Sequence, residues 1–193
     1  MNKYLIKKVI IISLLTLATG LTDITYAENT SDEKSEKGYN NLLGISFSTL
    51  TGAGPSYGYR FLPEYMIKIC GLYFENKDKE KNNGKVYYTQ DIWWNCGAEL
   101  QKNIFSINTD NTCIEAYGLI GGSYKYDEFK DPEDPEGDDK SETIVGGLAL
   151  GTRVILFQRV SINIDFGYQY SRDINDDERY TGLAGTIGAH ILF

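Results

Sequence analysis

Over residues 160–170 the chain alternates without a break: Val160, Ile162, Ile164, Phe166, Tyr168 and Tyr170 interleave with Ser161, Asn163, Asp165, Gly167 and Gln169. A period of two places the apolar set on one face of an extended strand and the small or polar set on the other. The same alternation runs through 42–50, 56–61, 65–75, 86–100, 112–127, 143–155 and 179–193, and no long segment shows the 3.6-residue period of an amphipathic helix. The pattern predicts an all-β chain of about eight strands, several longer than the ~5–6 residues usual in soluble sheets.

The links between these strands fall into two kinds. The first, third, fifth and seventh, at 51–54, 76–84, 128–142 and 172–178, are mostly polar and charged. The second, at Leu62-Pro63-Glu64, and the sixth, at 156–159, are tight, and the fourth, between 101 and 111, has no clear turn signal. Long links on one side and short ones on the other are the layout of an up-and-down barrel in an outer membrane.

The first 41 residues stand apart from this pattern. Lys3, Lys7 and Lys8 precede an apolar run at 9–18, and a polar stretch then ends in Thr25-Tyr26-Ala27. That run is well short of the ~20 residues a spanning helix needs, so 1–27 reads as a cleaved signal peptide. The first cysteine is Cys70, so no lipoprotein anchor is expected. Residues 28–41 (ENTSDEKSEKGYNN) contain almost nothing to bury and read as a flexible acidic leader, which leaves 42–193 as one folded domain.

Composition agrees with strands and turns, for aromatic residues make up 13%, 15 of them Tyr, and Gly occurs 20 times in 193 residues. The formal charge is −8, and without 1–27 it becomes −10, from 16 basic and 26 acidic residues. Nucleic-acid binding needs clustered Lys and Arg, so that class of partner is excluded.

The last strand carries Ile187, Ala189, Ile191 and Phe193 on its apolar face and ends in the aromatic residue. Together with the signal segment and the eight alternating strands, this ending resembles the small eight-stranded outer-membrane β-barrel proteins of Gram-negative bacteria, over 42–193. The resemblance implies a closed, antiparallel transmembrane barrel, monomeric, placed in the outer membrane after export across the inner one. It also implies that Ile187, Ala189, Ile191 and Phe193 form the signal read by the barrel-assembly machinery.

If the apolar face meets lipid, aromatic residues should collect at the two membrane interfaces. Tyr57, Tyr73, Tyr88, Tyr124, Tyr126, Tyr168 and Tyr170 share the apolar parity and are expected as a girdle toward the long-link end, with Phe61, Tyr65 and Phe193 at the short-turn end. The opposite parity should fill the interior, because an eight-stranded barrel is just wide enough for its own side chains. Arg60, Lys68 and Arg153 are expected there against Asp91, Glu99, Glu115 and Asp165, as a salt-bridge network among Gly44, Ser46, Gly147 and Gly167.

Candidate chemistry adds little. A lipid-modifying enzyme needs a nucleophile and base near the lipid-facing rim, whereas the single histidine, His190, has inward parity close to the short-turn end. Cys70 and Cys113 have inward parity and Cys96 outward, so no disulfide is expected unless a bulge near the fourth link brings Cys96 to Cys113. The acidic stretch 127–142 lacks the regular ligand spacing of a calcium loop. Neither cofactor nor metal is expected. The sequence therefore points to a non-enzymatic envelope protein of structural or interaction role, its loop partner unspecified. The alternatives are a soluble lipocalin-like barrel with an apolar ligand cup and, below it, a lipid-modifying enzyme.

Overall fold

The computed structural model describes residues 39–82, 85–109, 111–130 and 139–193, with side chains for all of these except 78–82, 85–88 and 139. The expected signal peptide and most of the leader lie outside the described residues. Eight strands follow in chain order: β1 Asn41–Ser48, β2 Gly52–Leu62, β3 Tyr65–Asn82, β4 Lys85–Asn108, β5 Thr112–Lys130, β6 Asp139–Leu156, β7 Val160–Asp173 and β8 Arg179–Leu192. Each pairs antiparallel with the next, and β1 pairs with β8 to close the ring. At the seam the Asn41 N–H donates to the Phe193 carbonyl at 3.2 Å, and the Phe193 N–H to the Asn41 carbonyl at 3.0 Å. Tyr39 packs against the buried cluster at the short-turn end, so the last residues of the expected leader belong to the fold.

The register fixes the shape of the ring. From Ser56 the ladder runs one way through Cys70, Gly97, Ser123, Val145 and Ser171 to Tyr180, and the other way through Gly44 to His190, ten residues further along β8. Such a stagger requires the strands to tilt by roughly 35–45° from the barrel axis.

The wall is uneven. β1 and β2 have 8 and 11 residues, β3 to β6 have 18 to 24, and β7 and β8 have 14 each. The link expected at 76–84 is therefore mostly strand, with Asn82 opposite Lys85 at its tip. Outside an apolar band both faces of a hairpin are wet, so alternation disappears from the sequence while the backbone stays paired. The stretch 127–142 likewise enters β5 and β6 at its ends, and its centre, 131–138, lies outside the described residues.

A bulge explains the unclear fourth link. Asn103 pairs with Tyr117 and Phe105 with Ala116, which leaves Ile104 as an extra residue. Ile104 and Phe105 are both exposed, and two successive outward residues break the period of two. The strand itself continues to Asn108.

Burial is inverted relative to a water-soluble barrel. Large apolar side chains such as Leu150, 68% exposed, Phe166 and Ile164 cover the outside, while Lys68 and Glu99, each 2% exposed, and Glu115, Arg153, Asp165 and His190 are buried inside.

Candidate functional site

The interior ion pairs follow directly from register. Lys68 stands opposite Glu99 across β3 and β4, and Glu115 opposite Arg153 across β5 and β6, so each pair meets on the inner face. The Lys68 Nζ lies 2.7 Å from Glu99 Oε1, which also accepts from Gln101 Nε2 at 2.6 Å. Arg153 Nη1 reaches Glu115 Oε2 at 2.8 Å, and Arg60 Nη2 reaches Glu115 Oε1 at 2.6 Å. Arg153 also donates to Gln101, with its guanidinium carbon 4.9 Å from the centre of the Tyr117 ring. Burial of single charges would cost several kcal/mol; here each carboxylate has a cation and a second donor.

Two expected members sit differently. Asp165 accepts from the Tyr117 hydroxyl and from Asn163 Nδ2 at 3.4 Å, so it is held by neutral donors within hydrogen-bond reach. Asp91 is exposed, above the ring on β4 opposite Asn76 and Phe129. Its parity is inward, but parity says nothing about height, and at that height the inner face is wet.

Beside Asp165, the interior along β1, β2, β7 and β8 carries the polar side chains Ser46, Ser56, Ser161, Asn163 and His190. Ser56 Oγ and His190 Nε2 are 2.8 Å apart, and the imidazole is 3% exposed. A Ser–His pair there is walled off from any lipid outside. Among the described residues, Ser46 Oγ, Ser161 Oγ, Asn163 Oδ1 and His190 Nδ1 are buried without a protein hydrogen-bond partner. Below them Leu42, Met66, Ile155 and Leu192 form an apolar cluster at the short-turn end. Nearby, a cavity of about 10 Å³ lies among Arg60, Gln101, Glu115 and Arg153, room for about one water.

The turn between β1 and β2 folds inward, which the sequence reading, placing the first link at 51–54, did not anticipate. Leu50 and Thr51 are each 1% exposed, and Leu50 joins Tyr117, Leu119, Val145, Ala149 and Ala184 in a second buried cluster. The Thr51 hydroxyl donates to Glu99 Oε2 at 3.2 Å, and the Leu50 carbonyl accepts from Ser123 Oγ at 2.8 Å. Gly97 is required, because a Cβ there would strike the Thr51 carbonyl, and Gly52, with φ of 89°, turns the chain back into β2. The available signal was the set of inward glycines on neighbouring strands, Gly97, Gly121 and Gly147, all close to Leu50 or Thr51.

On the outer face, Tyr73, Tyr168 and Tyr170 are exposed, and Tyr124 and Tyr126 are half-buried beside Trp94, with ring centres 5.1 and 5.8 Å from it. Trp94 was not singled out from the sequence. The Tyr88 side chain lies outside the described residues. Tyr57 departs from the expected height: its hydroxyl donates to Asn41 Oδ1 at 2.7 Å, toward the short-turn end. Phe61 and Tyr65 stack at 6.1 Å at that end, where Phe193 is exposed. Above the aromatic row the same face carries carboxylate–lysine pairs: Glu75 with Lys77 at 3.0 Å, Glu128 with Lys130 at 2.8 Å, and Glu142 with Lys140.

The concave face of the projecting hairpins is different again. Phe74 stands opposite Trp93, and Phe129 opposite Asp91. Phe74 is 57% and Phe129 41% exposed, an apolar patch standing in water above the low β1–β2 turn. The three thiols are unbridged, with Cys70 buried, Cys96 exposed and Cys113 half-buried. Cys96 lies opposite Gly71 and Tyr124 and Cys113 opposite Asn108 and Ile155, so the bulge at Ile104 does not bring them together.

No protein-family model and no curated protein sequence matches the chain. Among solved structures it is similar to the N-terminal β-barrel domain of Pseudomonas aeruginosa OprF, at 8% identity and TM-score 0.48 over 81% of this chain and 100% of that one. It is also similar to Neisserial surface protein A, at 14% identity and TM-score 0.42 over 78% and 92%. A third is Ail, the attachment invasion locus protein of Yersinia pestis, in complex with the heparin analogue sucrose octasulfate, at 16% identity and TM-score 0.38 over 79% and 96%.

Proposed function

We propose that this chain is a non-enzymatic outer-membrane barrel that presents the β3–β6 projection as an interaction surface of the cell envelope. The observation that carries the reading is the inversion of burial: ions and amides inside, a continuous apolar band outside, and a closed sheet between them. Hydrocarbon tolerates a sheet only when its ladder closes, and water tolerates such an outer face poorly. A lipocalin-like cup has no support, since the inward face is filled by charged pairs instead of apolar lining. An interaction role is supported by the exposed Phe74 and Phe129 on a rigid paired wall, because large apolar side chains held in water mark contact surfaces.

In this reading Ile187, Ala189, Ile191 and Phe193 are what the assembly machinery reads, and the barrel works as a monomer. Nitroxide labels at 162, 164 and 166 test the membrane part: in native envelopes they are expected to be relaxed by oxygen and shielded from an aqueous nickel chelate. Free access of the chelate overturns it. For the surface, intact cells carrying F74A, W93A and F129A together are expected to lose at least tenfold in adhesion to their envelope or host target, with the barrel still folded. Unchanged adhesion removes the patch from the function.

A further inference from the structure

A hairpin tip at the end of a barrel is ordinarily its wettest point. The β1–β2 tip is the reverse, with both Leu50 and Thr51 more than nine-tenths buried. Pairing between β1 and β2 stops at Ser48 and Gly52, so the tip itself is not part of the ladder. Its anchors are the Thr49 N–H to the Gly185 carbonyl at 3.0 Å and a set of side-chain bonds. These are Thr51 to Glu99, Ser123 to the Leu50 carbonyl, and Lys125 Nζ to the Thr49 carbonyl at 3.1 Å.

Beneath the tip lies the polar half of the interior, where Ser46, Ser161, Asn163 and His190 each have a buried polar atom with no protein hydrogen-bond partner among the described residues. Buried groups of this kind are satisfied by internal water. Toward the short-turn end these groups give way to the apolar cluster of Leu42, Met66, Ile155 and Leu192. Above, Leu50 fills the gap among Leu119, Val145, Ala149 and Ala184. The ion pairs run along β2 to β6, and their contact with the turn is the Thr51 hydroxyl on Glu99.

We propose that the 49–51 turn is a built-in plug, and that it, and not the ion-pair network, seals a hydrated polar chamber against the outer side. Withdrawing it leaves the β1–β2 ladder and the β1–β8 ladder up to Ser48 intact and exchanges for water the two Thr49–Gly185 bonds and a few side-chain bonds, so the plug is separable from the fold. The carboxylate of Glu99 serves both parts, holding Lys68 and the Thr51 hydroxyl, which makes it the point where the seal and the ion pairs communicate.

The test uses the full barrel in liposomes, with Cys70, Cys96 and Cys113 replaced by Ser and a membrane-impermeant maleimide outside. Ser46→Cys, at a position 0% exposed, is expected to be unreactive with the native turn. In the L50G/T51G background it is expected to label at least 100-fold faster. Equal labelling in the two backgrounds, fast or slow, overturns the plug. A second arm needs no turn-breaking change: Leu50→Cys is expected to label at least 100-fold more slowly than Thr49→Cys, which is exposed. Equal rates at 49 and 50 overturn the proposal as well. Both arms read the turn in purified protein, so they are independent of whether the projecting wall binds a partner.

Discussion

At the scale of single residues, Lys68 and Glu99 show what it takes to keep ions inside a sheet. Each is 2% exposed, and the Lys68 Nζ meets Glu99 Oε1 at 2.7 Å in place of bulk water. Removing one side of such a pair leaves an uncompensated charge, which costs about 3–5 kcal/mol. Lys68→Met and Glu99→Gln are each expected to lose that much in urea unfolding of the reconstituted barrel, and the double variant to recover most of it. Two carboxylates on the wet projection carry a pH dependence. Lys140, then Tyr124, hydrogen-bond Glu142 and hold its carboxyl below the ordinary 4.5. Ser141, then the Asn175 N–H, do the same for Asp173 below 3.8. A depressed folded-state value means the stabilisation is full above the ordinary value and fades as pH falls through the depressed one. Protection factors of amides at the outer ends of β5 to β7, taken against the intrinsic exchange rate at each pH, are therefore expected to be constant from pH 7 to 5 and to fall below about 4; a fall already at pH 6 would exclude these two groups as the cause.

Elements bring in neighbours, and the β6–β7 turn is a clear case. Phe157 and Gln158 both have positive φ, 52° and 58°, at the centre of a turn closed by the Arg159 N–H on the Leu156 carbonyl at 3.0 Å, a geometry that favours Asn-Gly. Left-handed backbone costs roughly 1–2 kcal/mol per ordinary residue, yet Phe157 is 74% exposed at the short-turn end where aromatic residues meet the interface. F157N/Q158G is expected to raise unfolding stability by about 1–2 kcal/mol in detergent, less in a bilayer if Phe157 anchors there. The outer face of β7 separates membrane from water more sharply. Ile164→Arg should cost about 2–4 kcal/mol in a lipid bilayer and Tyr170→Arg, near the rim of the same face, under about 1 kcal/mol. Equal, small losses at both positions would return the chain to a soluble class.

For the molecule as a whole, closure and height are the properties that matter. Phe193 is 54% exposed, and its seam bonds are made by backbone. Phe193→Ala is therefore expected to refold in vitro within ~0.5 kcal/mol of the parent, as surface substitutions do, while accumulating in the outer membrane at a markedly lower level. Loss of in vitro folding instead would make the residue structural and not a signal.

Alternation alone gave about eight strands and which side chains point inward, because a period of two is a property of one strand read by itself. Thus Lys68, Glu99, Glu115 and Arg153 were legible as interior residues, and Ile162, Ile164 and Phe166 as exterior ones. Height was not legible, since it depends on the ten-residue stagger around the ring, to which every strand pairing contributes. That is why Asp91 stands above the interior and Tyr57 below the girdle. Nor could the sequence show that the first turn bends into the barrel. Leu50 and Thr51 are ordinary residues in a turn; only the meeting of β4, β5 and β6 places Gly97, Gly121 and Gly147 where a turn can enter, and only the short β1–β2 hairpin brings one to that height.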